Sequence, residues 1–180
     1  MKNKIANLAL WAVVTAALVW FDQFTKSLAV AKLMGQPPFV LLEGVFELCY
    51  SENRGAAFGI LQGRQGFFFV IAAIVLAAAV WVMWRMPSLG NAHFHGLRLC
   101  VILITAGAAG NMIDRIGAGY VVDFFYFKLI NFPVFNVADI CVTTATALLL
   151  LLILFFYSEQ DLECFAFPRK SSDKRKDAGQ

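Results

Sequence analysis

Apolar residues run almost unbroken through four stretches of this chain, about 8–31, 67–84, 97–113 and 140–157, and the polar residues collect between them. Each stretch is close to the roughly 20 residues an α-helix needs to cross a bilayer. The pattern predicts a mainly α membrane protein with four transmembrane helices. Between the first two, FVLLEGVFELCY (39–50) holds two β-prone runs parted by Glu43-Gly44, then Asn53-Arg54-Gly55 and a further apolar run to Leu61. This predicts a small outer β-sheet of two or three strands between helices 1 and 2, over about 39–61. Pro37 and Pro38 keep the first helix from continuing into it. The stretch 115–135 is too short to cross and return. Its Tyr120, Phe124, Phe125, Tyr126, Phe127, Phe132 and Phe135 predict an interfacial, partly immersed segment whose rings act as anchors.

Composition agrees. Of 180 residues 60% are hydrophobic and 15% charged, against roughly 45–50% and about 25% in soluble domains. The length accommodates one membrane domain, 1–160, and a polar, basic cytoplasmic tail, 161–180, expected to be disordered. Lys2 and Lys4 before an apolar run that ends in Ala29-Val30-Ala31 resemble a secretory signal peptide. That run is longer than a signal core and is interrupted by Asp22, Gln23, Thr25 and Lys26, so an uncleaved first helix fits better.

The cations set an orientation. With both termini cytoplasmic, Lys2, Lys4, Arg85, Arg98, Arg169, Lys170, Lys174, Arg175 and Lys176 lie inside, nine of the fifteen. Lys26, Lys32, Arg54, Arg64, Arg115 and Lys128 lie outside, partly matched by acids there. The net charge of +3 reads as retention and contact with membrane lipids, and nothing points to nucleic acid. Cys49, Cys100, Cys141 and Cys164 lack metal-type spacing and read as free apolar cysteines. His93 and His95 share a short inner loop without a nearby carboxylate and read as a solvated turn.

Threading the helices in this order brings Asp22, Asp114, Asp123 and Asp139 to the outer face. Acids at membrane depth are costly and point to function. No histidine reaches that face, so Ser-His-Asp and Cys-His arrangements are excluded there. A Ser27–Lys26 dyad is the weaker nucleophile candidate, and HExxH and Gly-rich phosphate loops are missing. Two adjacent carboxylates sharing one proton can activate a water and polarise a carbonyl without metal or cofactor. Position selects the pair. Asp139 opens the fourth helix, where Asn136 can cap the first turn, and Asp123 follows the extended-favouring Val121-Val122. Asp114, beside Arg115, reads as an ion pair or hydrogen-bond scaffold, and Asp22 has Lys26 four residues on.

Five blocks carry a resemblance: Asp22-Gln23-Phe24-Thr25-Lys26, Asn53-Arg54-Gly55-Ala56-Ala57-Phe58-Gly59, Gly110-Asn111-Met112-Ile113-Asp114-Arg115, Val121-Val122-Asp123-Phe124 and Phe135-Asn136-Val137-Ala138-Asp139. In this order the chain resembles the lipoprotein signal peptidases of bacteria (signal peptidase II). The resemblance implies an intramembrane aspartyl endopeptidase of the cytoplasmic (inner) membrane; a monomer is expected, and the topology above puts its active site at the outer face. Such an enzyme removes signal peptides from prolipoproteins just before a diacylglyceryl-modified cysteine. It further implies Asp123 and Asp139 as the catalytic pair, and Asn53, Asn111, Arg115 and Asn136 as residues that hold or orient substrate. Asp22, Lys26 and Asp114 become supporting polar residues, and the outer sheet a cradle on the membrane. One departure is Ile140, where a small hydroxyl residue is frequent. Small residues 106–110 on the third helix offer close approach for a substrate helix or for helix packing. The alternative reading is a proton- or cation-coupled transporter, which would place acids at several depths rather than on one side.

Overall fold

The structure, a computed structural model, describes residues 1–55 and 65–165. The predicted β element beyond Gly55 and the tail beyond Phe165 fall outside the described residues. Among the described residues four helices are long and apolar enough to cross a membrane: α1 (Lys2–Leu33), α2 (Gln65–Arg85), α3 (His95–Gly117) and α4 (Val137–Phe155). A three-stranded antiparallel sheet in the order β1-β2-β3 caps one end, with β1 at Phe39–Leu42, β2 at Phe46–Asn53 and β3 at Val121–Phe127.

All four helices start earlier than hydropathy alone predicts, α1 and α4 by the most. α1 runs from Lys2 because the lysines near its start are good helix formers, so polarity there does not end the helix. α4 starts at Val137, since Asn136 and Asp139 form a reciprocal capping box: each side chain bonds the other's backbone N–H. Polar caps end a hydropathy stretch but begin a helix.

α3 sits at the centre, nearly half of its apolar length buried, while the other three present most of theirs outward. Its small residues serve helix packing. A Cβ on Gly107 would collide with the Ala138 carbonyl and stand 2.5 Å from the Val142 side chain; on Gly110 it would stand 2.5 Å from Asp22 Oδ2. Glycine therefore lets α4 and α1 approach the backbone of α3.

The third strand corrects the sequence reading of 115–135. β3 pairs with β2 (Ser51 opposite Asp123, Asn53 opposite Val121), so the sheet is completed from beyond α3 and not from 39–61 alone. Val122 and Phe124 are buried and cluster with Ala29 of α1. The chain then turns through Asn131, in the left-handed region at φ 48°, and returns so that Phe135 pairs with Phe125. Phe125, Phe127 and Phe132 all contact the Phe135 ring, at 5.6–5.8 Å between centroids, so these aromatics form a cluster of their own. Leu129 and Ile130, at the tip of the turn, stay exposed.

The opposite end is closed by buried polar groups. Asn7 Nδ2 donates to the carbonyls of Met86 and Pro87, and the Arg98 guanidinium to those of Pro87, Ser88 and Asn91. Arg98, read from sequence as an orienting charge, thus caps the α2–α3 connection. After α4 the chain forms a short α5 (Glu159–Leu162) and a 3₁₀ turn to Phe165. Leu162, Cys164 and Phe165 pack against Met83, Met86, Phe94, Leu97 and Tyr157. Asp161 caps α5 through Ser158 and lies 3.1 Å from His93 Nε2. These apolar contacts order the first residues of the predicted disordered tail, and they give His93 the carboxylate neighbour that sequence distance hid. All four cysteines are free.

Replacing Gly107 by alanine should wedge α3 from α4 and cost about 1–3 kcal/mol, as overpacking does, read as a lower thermal midpoint in detergent. Gly117→Ala, where a Cβ meets nothing within 4 Å, is the control and should leave that midpoint unlowered.

Candidate active site

The sheet brings Asp123 to its first partner. In antiparallel pairing, residues offset by two lie diagonally on the same face. Asn53, opposite Val121, therefore reaches Asp123, and its Nδ2 donates to Asp123 Oδ2 at 3.0 Å. An extra residue in β2 between Leu48 and Ser51 shifts the register just before this contact, the kind of bulge that re-aims side chains near sites. Asn53 Oδ1 accepts from Gly55 N at 3.0 Å, which fixes the amide with its nitrogen toward the carboxylate.

The start of α4 brings Asp139. As third residue of the helix it accepts from Asn136 N at 3.2 Å, while its own N–H donates to Asn136 Oδ1 at 3.0 Å. Asn136 Nδ2 points the other way and donates to Asp123 Oδ1 at 2.6 Å. One capping residue thus holds both carboxylates. Asn111 Nδ2 of α3 adds a bond to Asp139 Oδ1 at 2.8 Å.

An ion cluster underlies this layer. Lys26 Nζ lies 2.8 Å from Asp22 Oδ2 and 3.0 Å from Asp114 Oδ2, and donates to Asn111 Oδ1 at 2.9 Å. Asp22 Oδ1 accepts from Ala138 N, a free donor of α4's first turn, at 2.9 Å, and Asp114 Oδ2 accepts from Val122 N at 3.1 Å. The i,i+4 pair expected of Asp22 and Lys26 is present, and the ion partner of Asp114 is Lys26 rather than Arg115. Arg115 instead donates to the carbonyls of Asn111 (3.2 Å) and Gly55 (2.9 Å), with its guanidinium 4.4 Å from the Phe68 ring centre.

Two participants carry no role in the sequence reading. Gln23 donates to Asp22, the Gly110 carbonyl and Asp114, and Phe68 underlies Arg115. Gln23 lies inside the first quoted block, between Asp22 and Lys26, which was the signal for it. Phe68 gives none, since it stands in a run of three phenylalanines.

Beside the carboxylates a cavity of about 680 Å³ opens between α2, α3 and α4. Asn53, Asn111, Arg115 and Asp139 line its polar end, while Phe68, Ile71, Val142 and the 132–135 segment supply apolar wall. Ile140 also faces the cavity, so the departure from a hydroxyl residue makes that wall more apolar; its N–H bonds Asn136 O within the helix. Among the described residues no group of three or more His, Cys, Asp or Glu is placed to hold a metal ion.

Asp123 is buried, and burial pushes its carboxyl up, as does the charge of Asp139; the Asn53 and Asn136 amides and Lys26 pull it back, leaving it at about 7 against an ordinary 3.8. The folded protein thus holds this proton where the unfolded chain releases it. The linked penalty is absent below about pH 4, grows as pH rises, and is complete above about 7. Relative to wild type, Asp123→Asn should therefore gain stability across that window and none beyond it, read by paired melts. The infrared band of the protonated Asp123 carboxyl should vanish near pH 7, and at lower pH in Asp139→Asn.

The family model for signal peptidase (SPase) II matches residues 14–155. A lipoprotein signal peptidase of Clostridioides difficile is 39% identical over 150 residues, covering 83% of this chain and 98% of that protein. One from Caldanaerobacter subterraneus is 44% identical over 128 residues, 71% of this chain and 83% of that protein. A bacterial membrane enzyme solved by the in meso method at 1.9 Å superposes with a TM-score of 0.70 at 31% identity, over 83% of this chain and 95% of its own. A second, at 2.3 Å, gives 0.70 at 32% identity over 81% and 88%. Matched over most of its length by sequence and by fold, this multi-pass bacterial membrane protein belongs to the signal peptidase II family, the membrane peptidases that process lipoproteins.

Proposed function

We propose that this enzyme is an intramembrane aspartyl endopeptidase that cuts prolipoproteins just before the diacylglyceryl-modified cysteine, with Asp123 and Asp139 as its dyad. The observation that carries the reading is the double use of Asn136, whose side chain bonds Asp123 and whose backbone N–H bonds Asp139. Bridged through one residue, the two acids lie near enough for the charge of Asp139 to raise the Asp123 carboxyl.

Near neutral pH the shared proton sits on Asp123, whose carboxyl is held at about 7. Asp139 takes a proton from a water, the hydroxide attacks the scissile carbonyl carbon, and Asp123 passes its proton to the carbonyl oxygen. The resulting gem-diol returns a proton to Asp123 as the C–N bond breaks, and Asp139 protonates the leaving amine of the cysteine. The pair ends as it began, and no step uses a metal ion. Asn53, Asn111 and Arg115 hold or orient the substrate backbone at the polar end of the cavity, Asn136 orients the two acids from outside the lining, and the apolar wall suits a signal-peptide segment. The excess of cations at the termini and on the helix ends beside the α2–α3 connection supports both termini in the cytoplasm, with the site on the outer face of the inner membrane. A lipidated cysteine is anchored at that depth, so a monomer in contact with membrane lipids suffices.

Purified protein in detergent should cleave a diacylglyceryl-modified prolipoprotein immediately before the cysteine. Asp123→Asn and Asp139→Asn should each lower kcat by about 10³-fold or more, with folding checked by melting. Full activity in either variant would sink the dyad. EDTA should leave the rate unchanged, and a loss restored by zinc would overturn the mechanism.

A further inference from the structure

We propose that Lys26 is a positioning residue for hydrolysis, acting through Asn111: it fixes which way round the Asn111 amide sits and thereby holds Asp139 in register with Asp123. The inference rests on the dyad reading above.

Lys26 is 3% exposed and makes three polar contacts, matching the three donors of its ammonium: Asp22 at 2.8 Å, Asp114 at 3.0 Å and Asn111 Oδ1 at 2.9 Å. Asn111 Oδ1 also accepts from Asn136 Nδ2 at 3.1 Å. With two donors aimed at one oxygen, the amide has one acceptable orientation. Turned over, its NH₂ would face the ammonium and the Asn136 NH₂, and its oxygen would face Asp139 Oδ1. Every polar contact would then be donor to donor or acceptor to acceptor, a heavy cost in a buried network. Held as observed, Asn111 Nδ2 lies 2.8 Å from Asp139 Oδ1. Lys26 therefore acts on Asp139 without touching it.

The surrounding cluster suits this role. Asp22 binds the Ala138 N–H next to Asp139, and Asp114 binds the Val122 N–H next to Asp123, so the ion triad grips the backbone beside each acid. Lys26 contributes nothing to the cavity lining. Its effect on turnover must therefore pass through the Asn111 amide, which does line the cavity.

Steady-state cleavage of the diacylglyceryl-modified substrate by Lys26→Met should show kcat lower on the order of 100-fold, the effect of a small misplacement. Because Lys26→Met leaves two buried carboxylates without a counter-charge, the charge-balanced Lys26→Met/Asp114→Asn variant is measured beside it, and each is checked by melting. A cycle with Asn111→Ala supplies the second readout. Acting through Asn111, the lysine substitution should add less than about twofold once the amide is gone. Losses that multiply in the double variant, or an unchanged kcat in folded Lys26→Met, would overturn the positioning role and leave Lys26 a fastener of α1 to α3. The dyad is judged separately, by Asp123→Asn and Asp139→Asn. Inactive dyad variants together with multiplying losses would reject Lys26 alone, whereas activity in Asp139→Asn would reject both.

Discussion

A buried positive charge governs the architecture of the sheet end of this molecule. Ionised side chains removed from water are tolerated only when opposite charges and hydrogen bonds surround them. Lys26 meets that condition with two carboxylates from different helices and an amide from a third position, all within 3.0 Å. The requirement locks α1 to α3 at one depth. Asp22 and Asp114 then extend the arrangement to the backbones of α4 and β3. The glycines of α3 belong to the same constraint, since Gly110 leaves the space that Asp22 occupies. Charge compensation and helix packing are here one problem with one solution.

The molecule divides its labour by polarity. Outward faces of α1, α2 and α4 carry exposed apolar residues suited to hydrocarbon. The polar groups gather at two ends and have opposite tasks. At one end Asn7 and Arg98 satisfy carbonyls where helices stop, which closes the bundle. At the other, acids outnumber the cations beside them, and Asp123 keeps its proton to about pH 7. The first set satisfies hydrogen bonds; the second keeps an unstable charge distribution in place because the surrounding fold over-determines it.

Much of this was legible in the sequence, for reasons that can be named. The four helices follow from uninterrupted apolar runs, and the Asn136–Asp139 cap from an asparagine three residues ahead of an aspartate at the start of such a run. The Asp22–Lys26 pair follows from helical spacing. Pairing across long sequence distance was not legible. Val121–Phe127 reads as an aromatic interfacial segment because its partner, Phe46–Asn53, lies some seventy residues earlier, and neither strand announces the other. The same distance hid Asp161 from His93 and Asp114 from Lys26. The nearest opposite charge in sequence, Arg115, was the wrong partner for Asp114 because adjacent helical residues face different directions. The resemblance to a known family named residues that the structure brings together without saying how they touch.

The polar network draws on α1, β2, α3, β3 and the first turn of α4, segments that enter in that order during synthesis. Asp139 gains its helix cap only when α4 begins, and Asp123 gains its strand partner only after α3 has delivered β3 to β2. Before the last helix is inserted, the two acids are ordinary carboxylates on an unfinished chain. Under the dyad proposed above, the nascent protein is thus silent toward signal peptides sharing its insertion route. On that reading, completion of the bundle is itself the activation step of this membrane peptidase.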